Sequence, residues 1–426
     1  MILCFTLNHP TDSPPKYPSP SHIDTSRYYM ASSAIKSEED KQELFDSPEE
    51  LDAKVTRLAE MVEESTHFVV FTGAGVSTST GIPDFRSGYN TVLPTGPGMW
   101  EELAERKPVQ REVVKAIPQA LPSPTHMSLV ALMEAHKLKY LISQNVDGLH
   151  RKSGIPASKI AELHGNTYLE TCKVCRKDYL RDYETRTNAD VHRHETGRRC
   201  DNGDCGGELC DSIINFGENL REEVVRGAFG EAESADLCLV LGSSLRVTPA
   251  AHVPRDVKRH GGKLVIVNLQ RTPYDEAADL VIHSFCDQVI LLLMSKLRLK
   301  TPKFTLKRRL KISREPYQEK ECIRFQGVDM DGSPYSIFPK IEAHIAEKVL
   351  TITREPMRLI GTCFDGLEGQ IFLYFHGHYH EPALDFPIVC DEIPMDSSKT
   401  YEMTYDPWEQ VWTGLFEIRE VLVRVK

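Results

Sequence analysis

Five short runs in this chain gather glycine, amide, carboxylate, imidazole and thiol groups at spacings that suit chemistry. The first is Gly73-Ala74-Gly75-Val76-Ser77-Thr78, which follows the apolar run 67–72. A strand, a glycine turn and a helix in that order suit a nucleotide phosphate, because backbone amides at a helix start bind anions. The acidic residue expected ~20 positions later for a ribose has no clear counterpart. The run continues into Gly81-Ile82-Pro83-Asp84-Phe85-Arg86, which adds an aromatic and a charge pair to the same loop. Alone, a Gly-x-Gly turn serves packing as readily as nucleotide binding. The Asp84 and Arg86 stretch equally reads as a surface loop stapled by its own charges.

The second run is Ser143-Gln144-Asn145-Val146-Asp147-Gly148-Leu149-His150. It follows a strand, so its two amides and one carboxylate belong at the carboxyl edge of a sheet, where open α/β folds bind ligands. Asn and Asp after a strand also form ordinary loops. The third run, Glu162-Leu163-His164-Gly165-Asn166, offers His164, whose ordinary pKa of ~6.5 suits a base near neutrality. The fourth is Cys172-x2-Cys175 followed after 24 residues by Cys200-x4-Cys205. Two close thiol pairs indicate a structural zinc with four thiolate ligands, leaving no open position for catalysis. Cys210 is a rival ligand with poorer spacing. The fifth comprises Gly242-Ser243-Ser244 and Asn268-Leu269-Gln270, each ending a strand, so that several polar loops converge on one edge.

Alternating short aliphatic strands and amphipathic helices must position these groups. Strands are expected at 67–72, 138–143, 236–241, 263–269 and 279–283, and helices at about 125–136, 221–234, 249–260 and 286–298. The pattern indicates a Rossmann-like parallel sheet with helices on both faces. A cysteine-bearing module at about 165–212 is inserted into it. Ser47-Pro48-Glu49-Glu50 carries the signature of a helix start. Residues 1–45, rich in Pro and Ser, read as a disordered tail, and Met30 resembles a second translation start. Residues 301–315 are strongly basic and read either as a solvated linker or as a nuclear-localisation or nucleic-acid-binding segment. Residues 316–426 form an appended β-rich domain of unknown role. Within it, the run 370–380 alternates His376, His378 and His380 onto one strand face. That face reads as a solvated or partner-binding surface or, alternatively, a metal site.

With 426 residues and a formal net charge of −11, the chain has room for two or three domains and is not, as a whole, a non-specific nucleic-acid binder. It lacks the ~18-residue apolar run of a membrane span, and its start does not read as a secretory signal. Eleven cysteines in such a chain argue against a disulfide framework. Four fall to zinc and seven read as free.

Together, the glycine run, Gly81–Arg86, Gln144–His150, Leu163-His164-Gly165, the paired cysteines and Gly242–Ser244 closely resemble the sirtuins, which are NAD-dependent protein-lysine deacylases. The resemblance spans about residues 46–300. Phe45–Leu51, Pro124–Met127, His192–Arg198 and Val267–Gln270 resemble the class IV, chromatin-directed branch in particular.

The resemblance implies NAD as cofactor, one structural zinc, and an acylated lysine, on a histone or other nuclear protein, as substrate. It places pyrophosphate against Gly73, Ala74, Gly75, Ser77 and Thr78, with Asp84, Phe85, Arg86 and Trp100 in a mobile cofactor loop. Gln144, Asn145 and Asp147 would hold the nicotinamide ribose and carboxamide, and His164, with Asn145, would be catalytic. Gly242, Ser243, Ser244, Asn268, Leu269, Gln270 and Cys286 would complete the cofactor site, the last residues at its adenosine end. Phe216, Gly217 and Glu218 would pair with the substrate peptide as an added strand. It also implies residence in the nucleus. The same site would serve mono-ADP-ribosyl transfer, and the fold would also serve a non-catalytic NAD-binding chromatin scaffold. This chain departs from the family pattern in the long stretch Ser87–Met99 before Trp100, in Ser87 itself, and in Cys210.

Overall fold

Phe68–Thr72 (β1) is buried at every position, and its side chains divide between two cores. Phe68 and Val70 face one helical layer and Val69 and Phe71 the other, as the two-residue period of a strand requires. The computed structural model describes residues 38–99, 101, 117–188, 190, 192–203 and 205–418. Leu138–Ser143 (β2), Ile160–Glu162 (β3), Leu237–Leu241 (β8), Lys263–Val267 (β9) and Leu280–Ile282 (β10) join β1 in a six-stranded sheet. Its order is β10-β9-β8-β1-β2-β3 and every pairing is parallel. One face is covered by Pro48–Glu64 (α1), Pro124–Glu134 (α2) and Cys286–Lys296 (α6). The other is covered by Glu222–Ser234 (α4) and His252–Arg259 (α5). The doubly wound layer expected from the strand–helix alternation is therefore present.

Helix α1 starts where the capping signature placed it. Glu50 N–H donates to Ser47 Oγ at 3.3 Å, and Ser47 N–H donates to Glu50 Oε2 at 2.9 Å. At α2, His126 takes the Glu position of the same device, bonding Ser123 through Nδ1. His126 packs against His150 with ring centroids 4.6 Å apart, and His150 Nε2 bonds Thr72 Oγ1 at 2.9 Å.

Burial pulls both imidazoles down to about 3, with mutual repulsion adding to the fall at His150. Both are neutral in the folded chain, whereas unfolded histidines take up protons below pH ~6.5. The unfolded state then binds more protons, so stability complete above that pH is lost as pH falls toward about 3. The calorimetric unfolding midpoint is expected to drop between pH ~6.5 and ~5, and a flat midpoint over that range contradicts this reading.

The inserted module contains Leu169–Cys172 (β4), Asp178–Arg181 (β5), Glu195–Arg199 (β6) and Glu208–Asp211 (β7). Beyond α6 the chain folds into two antiparallel sheets around one apolar core, a β-sandwich. One sheet joins Leu306–Tyr317 (β11), Lys320–Val328 (β12), Met357–Gly361 (β16), Ser397–Asp406 (β19) and Val411–Ile418 (β20). The other joins Lys340–Ile345 (β14), Lys348–Ile352 (β15), Glu368–Tyr374 (β17) and Leu384–Val389 (β18).

Three expectations are corrected here. The basic 301–315 segment is no linker: from Leu306 onward it is the middle strand of the larger sheet. Arg308 and Arg314 lie on its inward face with Leu310 and Ile312, and Arg308 is only 1% exposed. Arg308 Nη2 meets Asp182 at 2.7 Å and Glu381 at 3.7 Å, Arg314 meets Glu321 and Asp365, and Arg309 meets Glu402. A guanidinium held by buried carboxylates tolerates an inward position that an unpaired charge does not. Nor do His376, His378 and His380 share a strand face. Strand β17 stops at Tyr374, and His380 adopts a left-handed conformation. Among the described residues the only metal-type cluster is that of the four cysteines, and no helix is long and apolar enough to cross a membrane. Of the tail read at 1–45, residues 1–37 lie outside the described residues, as does Trp100, while 38–45 are no tail: Glu38–Lys41 forms a helical turn and Leu44 N–H donates to Leu269 O at 2.8 Å.

Candidate active site

The carboxyl ends of β1, β2, β3, β8 and β9 present the polar loops side by side. At their centre the Gly73 and Gly242 turns touch. Gly73 N–H donates to Leu241 O at 3.0 Å and Gly75 N–H donates to Gly242 O at 2.9 Å. A Cβ on Gly73 would lie 2.6 Å from Gly242 O, and one on Gly242 would lie 2.7 Å from Gly75. The glycines are thus required by backbone contact as well as by any phosphate. The helix expected after this turn is replaced by two 3-10 turns, Ala74–Val76 and Thr78–Thr80, and the Gly73, Gly75, Val76 and Ser77 amides all donate to backbone carbonyls.

The Gln144–Asp147 loop is tied to this centre. Gln144 Nε2 donates to Ser243 Oγ at 2.7 Å, and Asn145 Nδ2 donates to Gly73 O at 3.1 Å. Ser77 Oγ donates to Asp147 Oδ2 at 2.7 Å, while Asp147 Oδ1 accepts from Leu149 N–H at 2.9 Å. His164 Nδ1 lies 3.0 Å from Gln144 O. A carbonyl only accepts, so Nδ1 carries the proton and Nε2 keeps its lone pair. Burial lowers the His164 pKa, against the opposing pull of that backbone bond. His164 therefore gives up its proton more readily than an ordinary histidine. Gly165, at φ +83°, abuts Ser212 so closely that an added Cβ would fall 1.9 Å from its carbonyl oxygen. The inserted module thereby presses directly on the residue after His164.

Asp84 folds its own loop by accepting from the Arg86 and Ser87 amides and from Ser87 Oγ. Phe85 is exposed. Burial lowers the Arg86 pKa to about 10, with Asp84 opposing the fall and Arg246 adding to it. Arg246 is itself paired with Asp40 at 3.2 Å, and two guanidinium groups near one another fit an anion such as a pyrophosphate. Arg246 had not been singled out from sequence, where a lone Arg after a strand carries no signal.

At the far end, Asn268 Nδ2 donates to Gln270 O, and the Gln270 amide donates to Lys41 O at 3.1 Å. Gln270 thus anchors the N-terminal segment. Leu269 serves it too, since Leu44 N–H donates to its carbonyl. Cys286 is a buried thiol raised to about 12 by burial, with Asp287 adding to the rise. The 216–218 stretch lies on the module side: Ile214 N–H donates to His164 O at 3.0 Å. Phe216 is exposed, and Gly217 at φ +88° has open space around its Cα. His194 bridges Asp211 and Glu218 at 3.1 Å each.

Cys172, Cys175, Cys200 and Cys205 bring their sulfurs within 4.8 Å of one another. Cys172 to Cys205 is 3.7 Å and Cys175 to Cys200 is 3.5 Å. Tetrahedral zinc with ~2.3 Å bonds needs sulfurs ~3.8 Å apart, and a disulfide only ~2 Å. Val174 N–H donates to Cys172 Sγ at 3.4 Å, and the Tyr179 hydroxyl lies 3.0 Å from Cys200 Sγ, as partners of metal thiolates do. The residues fit a closed zinc site, and Cys210, on β7, stands outside it.

A doubly wound sheet whose glycine turns, amides and neutral imidazole meet at one edge, beside a closed four-thiolate knuckle, defines a dinucleotide-binding α/β protein with a structural zinc module. Comparison with known proteins identifies which. The Sir2 family model matches residues 73–249. The NAD-dependent protein deacetylase SRT1 of Oryza sativa subsp. indica is 44% identical over 66% of this chain and 56% of its own length. The NAD-dependent protein deacetylase sirtuin-7 of Homo sapiens is 40% identical over 62% and 65%. An NAD-dependent protein deacetylase of Caldivirga maquilingensis is 36% identical over 57% of this chain and 93% of its own length. The chain belongs to the Sir2 family. It spans a little over half the length of the plant relatives it matches and just under two thirds of the mammalian ones.

Proposed function

We propose that this chain is an NAD-dependent protein-lysine deacylase whose catalytic unit covers residues 46–300, with the zinc module at about 165–212. The carrying observation is His164, neutral, with Nδ1 held by Gln144 O and Nε2 left as acceptor at the edge where Asn145 and Asp147 sit. The relatives' shared name, NAD-dependent protein deacetylase, supports the same reading.

NAD, when bound, supplies the ribose carbon that accepts the acyl oxygen as nicotinamide leaves. Arg86 and the close-packed Gly73 to Thr78 turn would hold its phosphates. Asn145 and Asp147 orient the nicotinamide end, and Phe85 excludes water. Nε2 of His164 takes a proton from a ribose hydroxyl, which commits the acyl group to transfer. Gly242 to Ser244, Asn268, Leu269, Gln270 and Cys286 border the adenosine end. Gln270 and Leu269 act there by fixing the N-terminal segment. Phe216, Gly217 and Glu218 receive the acyl-lysine peptide. Zinc holds the module that carries this strand and performs no step.

A histone or other nuclear protein as acceptor, and residence in the nucleus, rest on similarity to the sirtuin-7 branch. The basic segment no longer supports either, since Arg308 is consumed by an ion pair with Asp182 of the inserted module, and Arg309 and Arg314 by ion pairs within the β-sandwich.

The test is to incubate the chain with NAD and an acetyl-lysine histone peptide, following nicotinamide release and peptide mass. Loss of one acetyl group that requires NAD is the expected result. Nicotinamide release with mass gained on an acceptor would replace this reading with ADP-ribosyl transfer. NAD binding with neither reaction would leave a scaffold.

A further inference from the structure

The β-sandwich is fused to the catalytic unit through the zinc module and the helix that follows the Gln144–Gly148 loop. Tyr335–Ser336 (β13) pairs in parallel with β5 and extends the module sheet to β13-β5-β4-β7-β6. Leu180 and Asp182 donate their amides to Pro334 and Ser336 carbonyls at 2.9 Å. Arg181 reaches Ser336 and Glu355 across the same seam, the latter at 2.6 Å.

Leu149–Ser153 (α3) is held differently. A cavity of about 180 Å³ lies in the seam, lined by Gly148, Lys152, Asn166, Tyr168, Arg308 and Asp329 among others. Close packing is interrupted there, and an ion pair crosses the gap. Arg151 of α3 bonds Asp329, at the end of β12, with both side chains mostly buried. Asp329 is in turn fixed in a turn, accepting the Gly332 amide and donating its own to Ser333 O.

Burial raises the Glu162 pKa to about 7, and the charge of Arg151 opposes that rise. Glu162 ends β3, two residues before His164, and its register partner is Ser143, the residue before Gln144. It accepts from Asn166 Nδ2 at 2.7 Å. One guanidinium therefore ties an aspartate of the sandwich to α3, which opens on the Asp147 loop, and its charge also bears on the glutamate that ends β3.

We propose that Asp329, acting through Arg151, is a positioning residue for the loops that carry Asp147 and His164, so that the β-sandwich is a working part of the catalytic body. With Asp329 neutralised, Arg151 loses the carboxylate it is bonded to and leaves its mostly buried place, which shifts α3 and, through Leu149 N–H on Asp147 Oδ1, the Asp147 loop. Small displacements of catalytic groups cost rate far more than binding. The proposal rests on the deacylase reading for its kinetic arm and stands apart from it in its exchange arm.

The experiment uses the full chain as wild type, Asp329→Asn and Glu355→Gln. The last breaks a seam ion pair that does not touch α3. Asp329→Asn is expected to lower kcat about tenfold or more while KM for NAD and peptide changes less than about threefold. It should also speed amide exchange in 144–153 and 162–168 with zinc content unchanged. Glu355→Gln should leave kcat near wild type. Arg151→Lys, which keeps the cation and shortens its reach, should reproduce the kinetic split if Asp329→Asn folds poorly. Unchanged kcat and exchange in Asp329→Asn would overturn the proposal, as would equal losses of kcat in Asp329→Asn and Glu355→Gln. A wild type without deacylation would remove the functional reading alone. Exchange in the two loops would then decide this one.

Discussion

Replacing His164 by Ala is expected to reduce kcat by about 10²–10⁴-fold, the usual contribution of a positioned base. That is about 3–5 kcal/mol of transition-state stabilisation. The imidazole is placed by two short connections. Its Nδ1 proton is given to Gln144 O at 3.0 Å, and its backbone carbonyl accepts from Ile214 N–H. Neither bond holds the nucleotide, so NAD affinity measured by calorimetry should stay within about threefold while turnover collapses. The direction of the pH effect follows from burial. The folded imidazole gives up its proton at lower pH than an ordinary histidine, so the acid limb of the wild-type kcat profile should lie below ~6.5. An Ala variant that keeps wild-type turnover, or a limb above that value, would contradict the assigned role.

Replacing Cys172 or Cys200 by Ser is expected to release the zinc and unfold the β4–β7 module. The module has little core of its own: it buries Cys172, Tyr179, Cys200 and Leu209 around the metal site, and a second small cluster, Tyr168, Leu169 and Leu180, packs against Ile117 and Tyr335 outside it. A structural zinc in small finger peptides contributes about 10–16 kcal/mol of apparent folding free energy. That is far more than such a cluster supplies. The loss would spread in two directions. Ser212 and Asn166, which seat Gly165, sit at the module's base, and β13 of the sandwich hangs on β5. Metal analysis should find about one zinc per wild-type chain and none in the variants, with new proteolytic cleavage near β4–β7. Cys210→Ser should keep its zinc. Full metal in Cys172→Ser would refute the ligand set.

Much of this site was legible before any coordinates, for reasons of range. The zinc ligands come as two local pairs, and a turn that presents two sulfurs to one ion is a property of a few adjacent residues. The same holds for the Ser47 cap, for β1 and for the polar loops that end β2 and β8. The 3-10 turns after Gly75 were not legible, because the apposition of Gly242 halts the helix the local pattern suggests. Strand β11 was misread for a related reason. Its two-residue alternation of Leu306, Arg308, Leu310, Ile312 and Arg314 was present, yet a run of positive charge reads as solvated until its carboxylates are found.

The sequence by itself determined that this chain carries a nucleotide-binding α/β unit, a four-thiolate zinc module and an appended β-rich unit. Each is written in turns, spacings and periods a few residues long. Only the tertiary structure decided that the appended unit is docked and not tethered. Arg308 meets Asp182 across 126 positions and Arg151 meets Asp329 across 178. Charges so far apart leave no mark on the local pattern around either partner, and only folding brings them out of water together.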